Sequence, residues 1–431
     1  MPQVYKFGGA SIQDADAFRR LGTLLAEGVE RPRALVVSAM GKTTNALEAL
    51  LAAAREQDEA DYRQRLTAIR DDHLAVAEAL FGPDSRVAAE LSRLVDELDA
   101  AHAAHRQASY PFHYDQTVGF GELLSTTLLA AWLNAQGVAT RWCDARELIV
   151  TDDRHQAARI NWSATRARIT GAAARDEALL LTQGFIGATP AGAMTTLGRE
   201  GSDFSAAILA EALAAEGLTI WKDVPGLFNA DPRRFPNARQ IRRISYAEAL
   251  EQTWHGAKVI HPRTLAPLQR AGIPLTVRSF LEPEVPPSTI GPEPGDGDHQ
   301  PALILRDEQV LLEVSDREGG FIEAGLMADA LNALAEQGLN ANLLEVEAQR
   351  LRLVVNRQEE RLAPLLERLN ACGAVSHRED LALLTVRHPG EGLMAALDAG
   401  RTPLVARQSG ATAQRLYPAA ECPERWQIPE P

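Results

Sequence analysis

The chain has 431 residues, 45% of them hydrophobic and 24% charged, and carries a net charge of −14. That length exceeds what one hydrophobic core organises and predicts two or three domains, while the composition excludes a disordered or fibrous chain. The acidic balance excludes a nucleic-acid partner, which would need clustered Lys and Arg, and three scattered cysteines, Cys143, Cys372 and Cys422, exclude a disulfide framework or zinc knuckle.

The first residues, Met1-Pro2-Gln3-Val4-Tyr5-Lys6, hold neither a basic leader nor an apolar stretch of signal-peptide length. No segment reaches the roughly 20 apolar residues of a bilayer span, so the expected place is the cytoplasm, with no membrane partner. Short apolar runs at 4–7, 34–37, 178–181, 218–221 and 275–277 alternate with helical patterns, which predicts a parallel sheet covered by helices. Residues 46–108 are rich in Ala, Leu, Glu and Arg and broken at Gly82-Pro83, which predicts helices forming a cap or hairpin beside the sheet.

Pro and Gly dominate 282–301, which reads as a linker. Beyond it the pattern predicts a strand at 309–314, a helix at 324–337, strands at 341–347 and 350–355, and a helix at 362–372. This is the βαββαβ order of a ferredoxin-like unit. A weaker echo follows, with strands at 381–386, 403–407 and 412–416 and a helix at 392–399. The expected division is a large unit over 1–290 with a helical insertion at 46–116, a linker at 291–301, and a region 302–431 holding one module at about 309–380 and an abbreviated second at about 381–418.

Five blocks carry the polar chemistry. Lys6-Phe7-Gly8-Gly9-Ala10-Ser11 follows the first strand; its glycines let backbone amides approach phosphate oxygens and Lys6 adds charge, although two glycines after a strand serve equally as a tight turn. The second, Val36 to Asn45, ends a strand in small polar residues. Its Gly41-Lys42-Thr43 resembles the tail of a P-loop, but Val36 stands where that motif needs its first Gly, so the turn reads as a second binding loop with Ser38 and Thr44 facing the ligand.

The third block, Thr195 to Ala207, packs glycines, Arg199, Ser202 and Asp203 ahead of an Ala-rich helix, whose N-terminal amides suit an anion or form a plain cap. The fourth, Lys222 to Arg233, is full of turn formers and alone is a surface loop. The fifth, Gly256 to Pro262, adds Lys258, alone most simply a solvated side chain.

Taken in order, these blocks resemble the aspartate kinase branch of the amino-acid kinase family closely over residues 1 to about 290, and the tail resembles a pair of ACT-type modules. The resemblance implies an α/β fold, a three-layer αβα sandwich with a mostly parallel sheet, followed by α+β ferredoxin-like ACT modules. It implies transfer of phosphate from ATP, with Mg²⁺ on the nucleotide, to the side-chain carboxylate of aspartate, in a homo-oligomer regulated by an amino acid. Carried onto this sequence, Lys6, Gly8 and Gly9 would contact the transferring phosphate beside Ser38. Thr44, Arg199, Ser202 and Glu122 of Gly119-Phe120-Gly121-Glu122 would hold aspartate, with Glu122 facing its α-ammonium. Asp203 would orient Lys6 and Lys258, and Lys222, Asp223, Phe228, Arg233 and Lys258 would line the nucleotide pocket. No protein ligand to the metal is assigned.

The chain departs from the family pattern at Ala10 for Thr, at Glu200 for Gly, at Lys222 for a small hydroxyl residue and at Phe228 for Tyr. Glu200 brings a negative charge near an anion site and is expected to point away or pair with a cation. Another acceptor for the same fold, or an amino-acid sensor with a degenerate kinase domain, are the alternatives. His102 and His105, one turn apart without a third ligand, read as helix-surface residues, and Trp132 and Trp142 as core.

Overall fold

A computed structural model describes residues 2–27, 32–83, 85–257, 260–390, 392–423 and 425–428. Two compact units emerge: 1–227, 242–246 and 259–295 form the first, and 228–241, 247–258 and 296–431 the second. No helix among the described residues is long and apolar enough to cross a membrane.

An eight-stranded sheet organises the first unit. Its order is Arg243–Ser245, Ser288–Gly291, Leu275–Ser279, Gly217–Lys222, Gln3–Phe7, Ala34–Val37, Leu179–Gln183 and Thr140–Cys143. Every neighbouring pair is parallel except Leu275–Ser279 with Ser288–Gly291. Ala34–Val37 and Leu179–Gln183 are buried along their whole length, as strands covered on both faces must be, and this is why they read as unbroken apolar runs.

Helices Gly201–Ala212, Trp162–Ala173 and Pro262–Ala271 pack together as one layer, and Phe120–Ala135 with Ala15–Glu27 forms another. This is the three-layer αβα arrangement. The expected helical insertion consists of Thr43–Glu56, Glu59–Phe81, Arg86–His105 and Tyr110–Val118. Asp58 and Ser85 cap two of these by accepting from the backbone N–H groups of Asp61 and Ala88, and Gly82 ends the helix before it at φ +79°.

Within this insertion His102 is interior rather than on the surface. Its Nδ1 lies 3.0 Å from Nε2 of His113 on the following helix, and burial pushes the two imidazoles down to about 3 and about 4. His105 instead packs edge-on against Phe112. Helical spacing marks His102 and His105 as neighbours but not which of them faces the adjacent helix. Trp132 and Trp142 are partly buried against the main core, as expected.

In the second unit six strands form one antiparallel sheet in the order Leu343–Val346, Leu351–Asn356, Ala302–Ser315, Ala374–Arg387, Thr412–Pro418 and Val405–Ser409. Helices Ala324–Glu336, Glu359–Cys372 and Leu393–Asp398 complete the predicted alternation. The two modules are fused through their longest strands. Residues 309–315 pair with 374–381, and 302–306 pair with 383–387, with a bulge between. Val310, Leu312 and Val314 enter one core with Leu365 and Leu369, whereas Leu303, Leu384 and Val386 enter another with Tyr417 and Trp426. The second module is abbreviated because it borrows the start of the first module's leading strand.

The reading of 282–301 as a linker needs one correction, because Ser288–Gly291 is a strand of the first unit's sheet with Ile290 wholly buried. The surrounding prolines hide a four-residue strand whose only apolar side chain is Ile290.

A buried ion pair ties helix Tyr246–Trp254 to the second unit's sheet. Glu248 receives Arg387 at 2.6 Å and His388 at 3.0 Å, and both Glu248 and Arg387 are buried. Burial alone would raise the Glu248 carboxyl, but hydrogen bonds from Arg387 and His388 outweigh it and hold the group below its ordinary value. That contribution to stability is present above the ordinary carboxylate pKa and is lost as pH falls through the depressed one. Arg387→Met removes the guanidinium and leaves His388 facing the buried carboxylate, and is expected to cost about 1–3 kcal/mol, read as a lowered denaturation midpoint.

Candidate active site

Strand Gln3–Phe7 lies at the centre of the first sheet, and the chain winds outward from it on both sides. Ala34–Val37 flanks it on one side and Gly217–Lys222 on the other. Crevices form at the carboxyl ends of parallel strands where such winding diverges. The first, second and fourth polar blocks start at those ends.

Strand alternation then decides which side chains meet. Phe7 and Trp221 are register partners stacked on one face, their rings 5.5 Å apart and nearly coplanar. Lys6 and Lys222, each one residue away, therefore share the opposite face. Asp203, in the first turn of helix Gly201–Ala212, lies 2.7 Å from Lys6 and 4.0 Å from Lys222. The helix dipole favours a carboxylate at that position. The described residues make Lys222 the second lysine at Asp203; Lys258, expected there, lies outside them.

Loops 8–11 and 38–41 are zipped together, with Ser38 N–H donating to Phe7 and Gly41 N–H to Gly9. A Cβ on Gly9 would stand 2.7 Å from the carbonyl oxygen of Ala39 and 2.8 Å from that of Gly41, so only glycine fits. Gly9→Ala is expected to cost about 1–3 kcal/mol by forcing the loops apart, and to raise KM for the nucleotide, as thermal unfolding and steady-state kinetics would register. Ala10 is exposed, consistent with a dispensable hydroxyl at that position.

A cleft of about 780 Å³ brings together Lys6, Ser38, Thr44, Glu122, Arg199, Ser202, Asp203 and Lys222. Gly8 and Gly9 lie next to Lys6, and a Cβ on Gly8 would be 3.5 Å from the lysine Nζ. Asp223 is exposed and does not line this cleft. Phe228 and Arg233 fall in the second unit, where Arg233 is exposed and paired with Asp231 at 2.7 Å.

Glu122 sits in helix Phe120–Ala135, almost wholly buried, with no hydrogen-bond partner on Oε2. Burial pushes its carboxyl up to about 8, against the opposing pull of the Ala39 backbone and the Lys6 charge. A buried carboxyl facing a cleft with one oxygen unpartnered is poised for a cationic ligand. Arg199 is exposed on the wall of the same cleft.

Glu200 lines the cleft rather than pointing away, and among the described residues no cationic side chain pairs with it. Its Oε2 accepts the His261 backbone N–H at 3.0 Å, at the start of helix Pro262–Ala271. Its φ is +53°, in the left-handed region that favours glycine.

Tyr110, Tyr114, Gln156, Phe185 and Thr196 also line the cleft and lie outside the polar blocks except for Thr196. The positive φ of Phe185 and Gln156 marks them as special, but nothing local in the sequence does.

The model of the amino acid kinase family matches residues 1–279. Lysine-sensitive aspartokinase 3 of Escherichia coli K12 is 35% identical over 343 residues, covering 79% of this chain and 75% of the relative. A crystal structure of E. coli aspartokinase III with aspartate and ADP superposes with a TM-score of 0.81 at 30% identity, covering 98% of this chain and 97% of that one. The structure of aspartokinase III with lysine and aspartate gives 0.82 at 31% identity with the same coverage. Aspartate kinase of Clostridium acetobutylicum, 19% identical, shares the fold with a TM-score of 0.76 over 97% of this chain and 96% of that one. A lysine–carboxylate pair at the sheet's crevice, a buried Glu in the same cleft with one oxygen unpartnered and matches spanning both units agree: the chain belongs to the amino acid kinase family, on its aspartokinase branch.

Proposed function

We propose that this protein transfers the γ-phosphate of ATP to the side-chain carboxylate of L-aspartate, giving 4-phospho-L-aspartate for lysine, threonine and methionine biosynthesis. The observation that carries this reading is the one cleft holding two lysines about one buried carboxylate together with Glu122, whose Oε2 has no partner, and Arg199. Transfer between two anions needs positive charge at the phosphoryl group and a grip on the acceptor, with little covalent work by the protein.

Lys6 and Lys222 supply the charge, and Asp203 holds the Lys6 ammonium in place. Gly8, Gly9 and Ser38 offer close backbone and hydroxyl contacts to the phosphates. Arg199 grips one carboxylate of aspartate with parallel hydrogen bonds, which a lysine cannot do, while Thr44 and Ser202 orient it and Glu122 receives the α-ammonium. Lys258, Asp223, Phe228 and Arg233 are proposed nucleotide contacts on their sequence blocks alone.

Mg²⁺ is proposed to travel on the phosphate oxygens and water, its usual mode with nucleotides, supplying charge neutralisation there. The three free thiols fit a cytoplasmic setting. The second unit's ACT-type sheet and exposed Phe321 and Leu331 support a homo-oligomer, and the lysine-bound relative supports lysine as effector.

A coupled ADP-release assay with Mg²⁺ and ATP tests the reading. Aspartate-dependent turnover is expected, with glutamate, N-acetylglutamate and nucleoside monophosphates inactive and lysine inhibitory. No turnover with aspartate would overturn the assignment.

A further inference from the structure

Asp115 is a buried carboxylate to which the proposed reaction gives no part. It lies on helix Tyr110–Val118, which also carries the cleft residues Tyr110 and Tyr114, and has no exposed surface. Its Oδ1 accepts the Thr196 hydroxyl at 2.7 Å and the Gln156 backbone N–H at 3.1 Å. Its Oδ2 accepts that same N–H at 3.1 Å and meets His155 Nδ1 at 2.8 Å. An ionised carboxylate only accepts, so Nδ1 is the protonated nitrogen of His155.

Three segments distant in sequence converge on this one side chain, and each lends a residue to the cleft wall: Tyr114, Gln156 and Thr196. The Gln156 backbone is left-handed at φ +68°, a conformation that a residue with a Cβ keeps only where its surroundings hold it. Asp115 holds it by the N–H. The Gln156 carbonyl in turn abuts Gly198, where a Cβ would stand 2.9 Å away, and Gly198 is itself at φ +78°. Arg199 is the next residue.

A second bracket reinforces the contact from outside the cleft. Ala158 N–H donates to the Thr196 carbonyl at 3.0 Å, and Arg263 reaches the carbonyls of Leu197 at 2.7 Å and Ala158 at 3.4 Å. The loop through Gln156 and the strand leading to Arg199 therefore move as one piece, and Asp115 fixes that piece to the helix bearing Tyr114. None of these bonds involves Lys6, Asp203 or Lys222.

We infer that Asp115 is a positioning residue for the acceptor: by clamping Gln156 and the Thr196–Arg199 segment it presents Arg199 to the substrate's carboxylate, and so sets affinity for aspartate without setting affinity for ATP. The inference rests on the proposed aspartate kinase reading.

The test is steady-state kinetics on the full chain, varying each substrate at saturation of the other, with thermal unfolding alongside. Asp115→Asn, isosteric but with one acceptor exchanged for a donor, is expected to raise KM for aspartate about tenfold or more while kcat and KM for ATP stay within about threefold. His155→Phe keeps the edge-on ring contact with Phe112 but removes one donor, and is expected to give the same split at about threefold. If Asp115→Asn fails to fold, His155→Phe decides. A lowered melting temperature with unchanged kinetic constants, or equal losses in kcat and both KM values, would overturn the inference as describing a merely structural group. Absence of aspartate-dependent turnover in the unmutated protein would instead overturn the functional reading on which it rests.

Discussion

Lys6→Met is expected to lower kcat about 10³-fold, the loss typical of removing a preorganised charge from a phosphoryl-transfer site. The lysine is 9% exposed and its Nζ is 2.7 Å from Asp203, so it is held before any ligand arrives and needs no reorganisation during transfer. The substitution also leaves the buried Asp203 carboxylate without its close ion pair, Lys222 standing 4.0 Å away, at a cost of about 1–3 kcal/mol in stability. A second change separates the two effects. Asp203→Asn in the Lys6→Met background removes the buried charge, so the denaturation midpoint is expected to recover while kcat does not. Recovery of kcat in that double variant would show that Lys6 serves only to neutralise Asp203.

Glu122→Gln carries the second large effect, and pH exposes it. With its carboxyl pushed up to about 8 by burial, Glu122 holds a proton at neutral pH in the empty cleft. An α-ammonium beside it favours the carboxylate, so aspartate binding releases that proton. KM for aspartate is then expected to fall by about tenfold per pH unit between pH 6 and pH 8 and to level above it. Glu122→Gln is expected to flatten that slope and to raise KM at pH 8 by about 10- to 100-fold, the worth of a charge-assisted hydrogen bond.

The same group has a consequence for stability. A carboxyl raised on folding contributes stability that is fully present below its ordinary value of 4.5 and is lost as pH climbs to about 8. Glu122→Gln should remove that decline between pH 5 and pH 8. A wild-type KM for aspartate that does not change from pH 6 to pH 8 would rule out proton release at Glu122.

Much of this architecture is legible in the chain itself because its signals are local. The runs at 4–7, 34–37, 178–181, 218–221 and 275–277 are strands, since a parallel strand buried on both faces needs unbroken apolar character. The order of strands and helices after residue 302 is equally local, fixed by the change from period 2 to period 3.6. Lys6, Ser38, Thr44 and Lys222 stand at or just beyond the ends of three of those strands, Arg199, Ser202 and Asp203 at the start of helix Gly201–Ala212 and Glu122 in its own glycine block on helix Phe120–Ala135, and all of them line one cleft.

Other features had no local mark. Ser288–Gly291 is a strand only because a sheet edge is there to receive it, and 302–306 serves the second module only because 383–387 lies alongside. Which histidine His102 faces, and that Glu200 turns to the His261 amide, depend on neighbouring helices.

The sequence by itself determined which groups are available: the lysines, the glycine turns, the Arg and Glu proposed to hold the acceptor, and the alternation that builds a parallel sheet with a ferredoxin-like tail. Only the tertiary structure decided how those groups behave. Pairing with Asp203 holds Lys6, burial pushes the Glu122 carboxyl up, and Asp115 becomes a clamp because residues 155, 156 and 196 each bring a polar atom within 3.1 Å of its carboxylate. The physical reason is one of range. Hydrophobic periodicity and turn chemistry act over a few residues and are written along the chain, whereas desolvation and hydrogen-bond partnership depend on whatever the fold carries alongside.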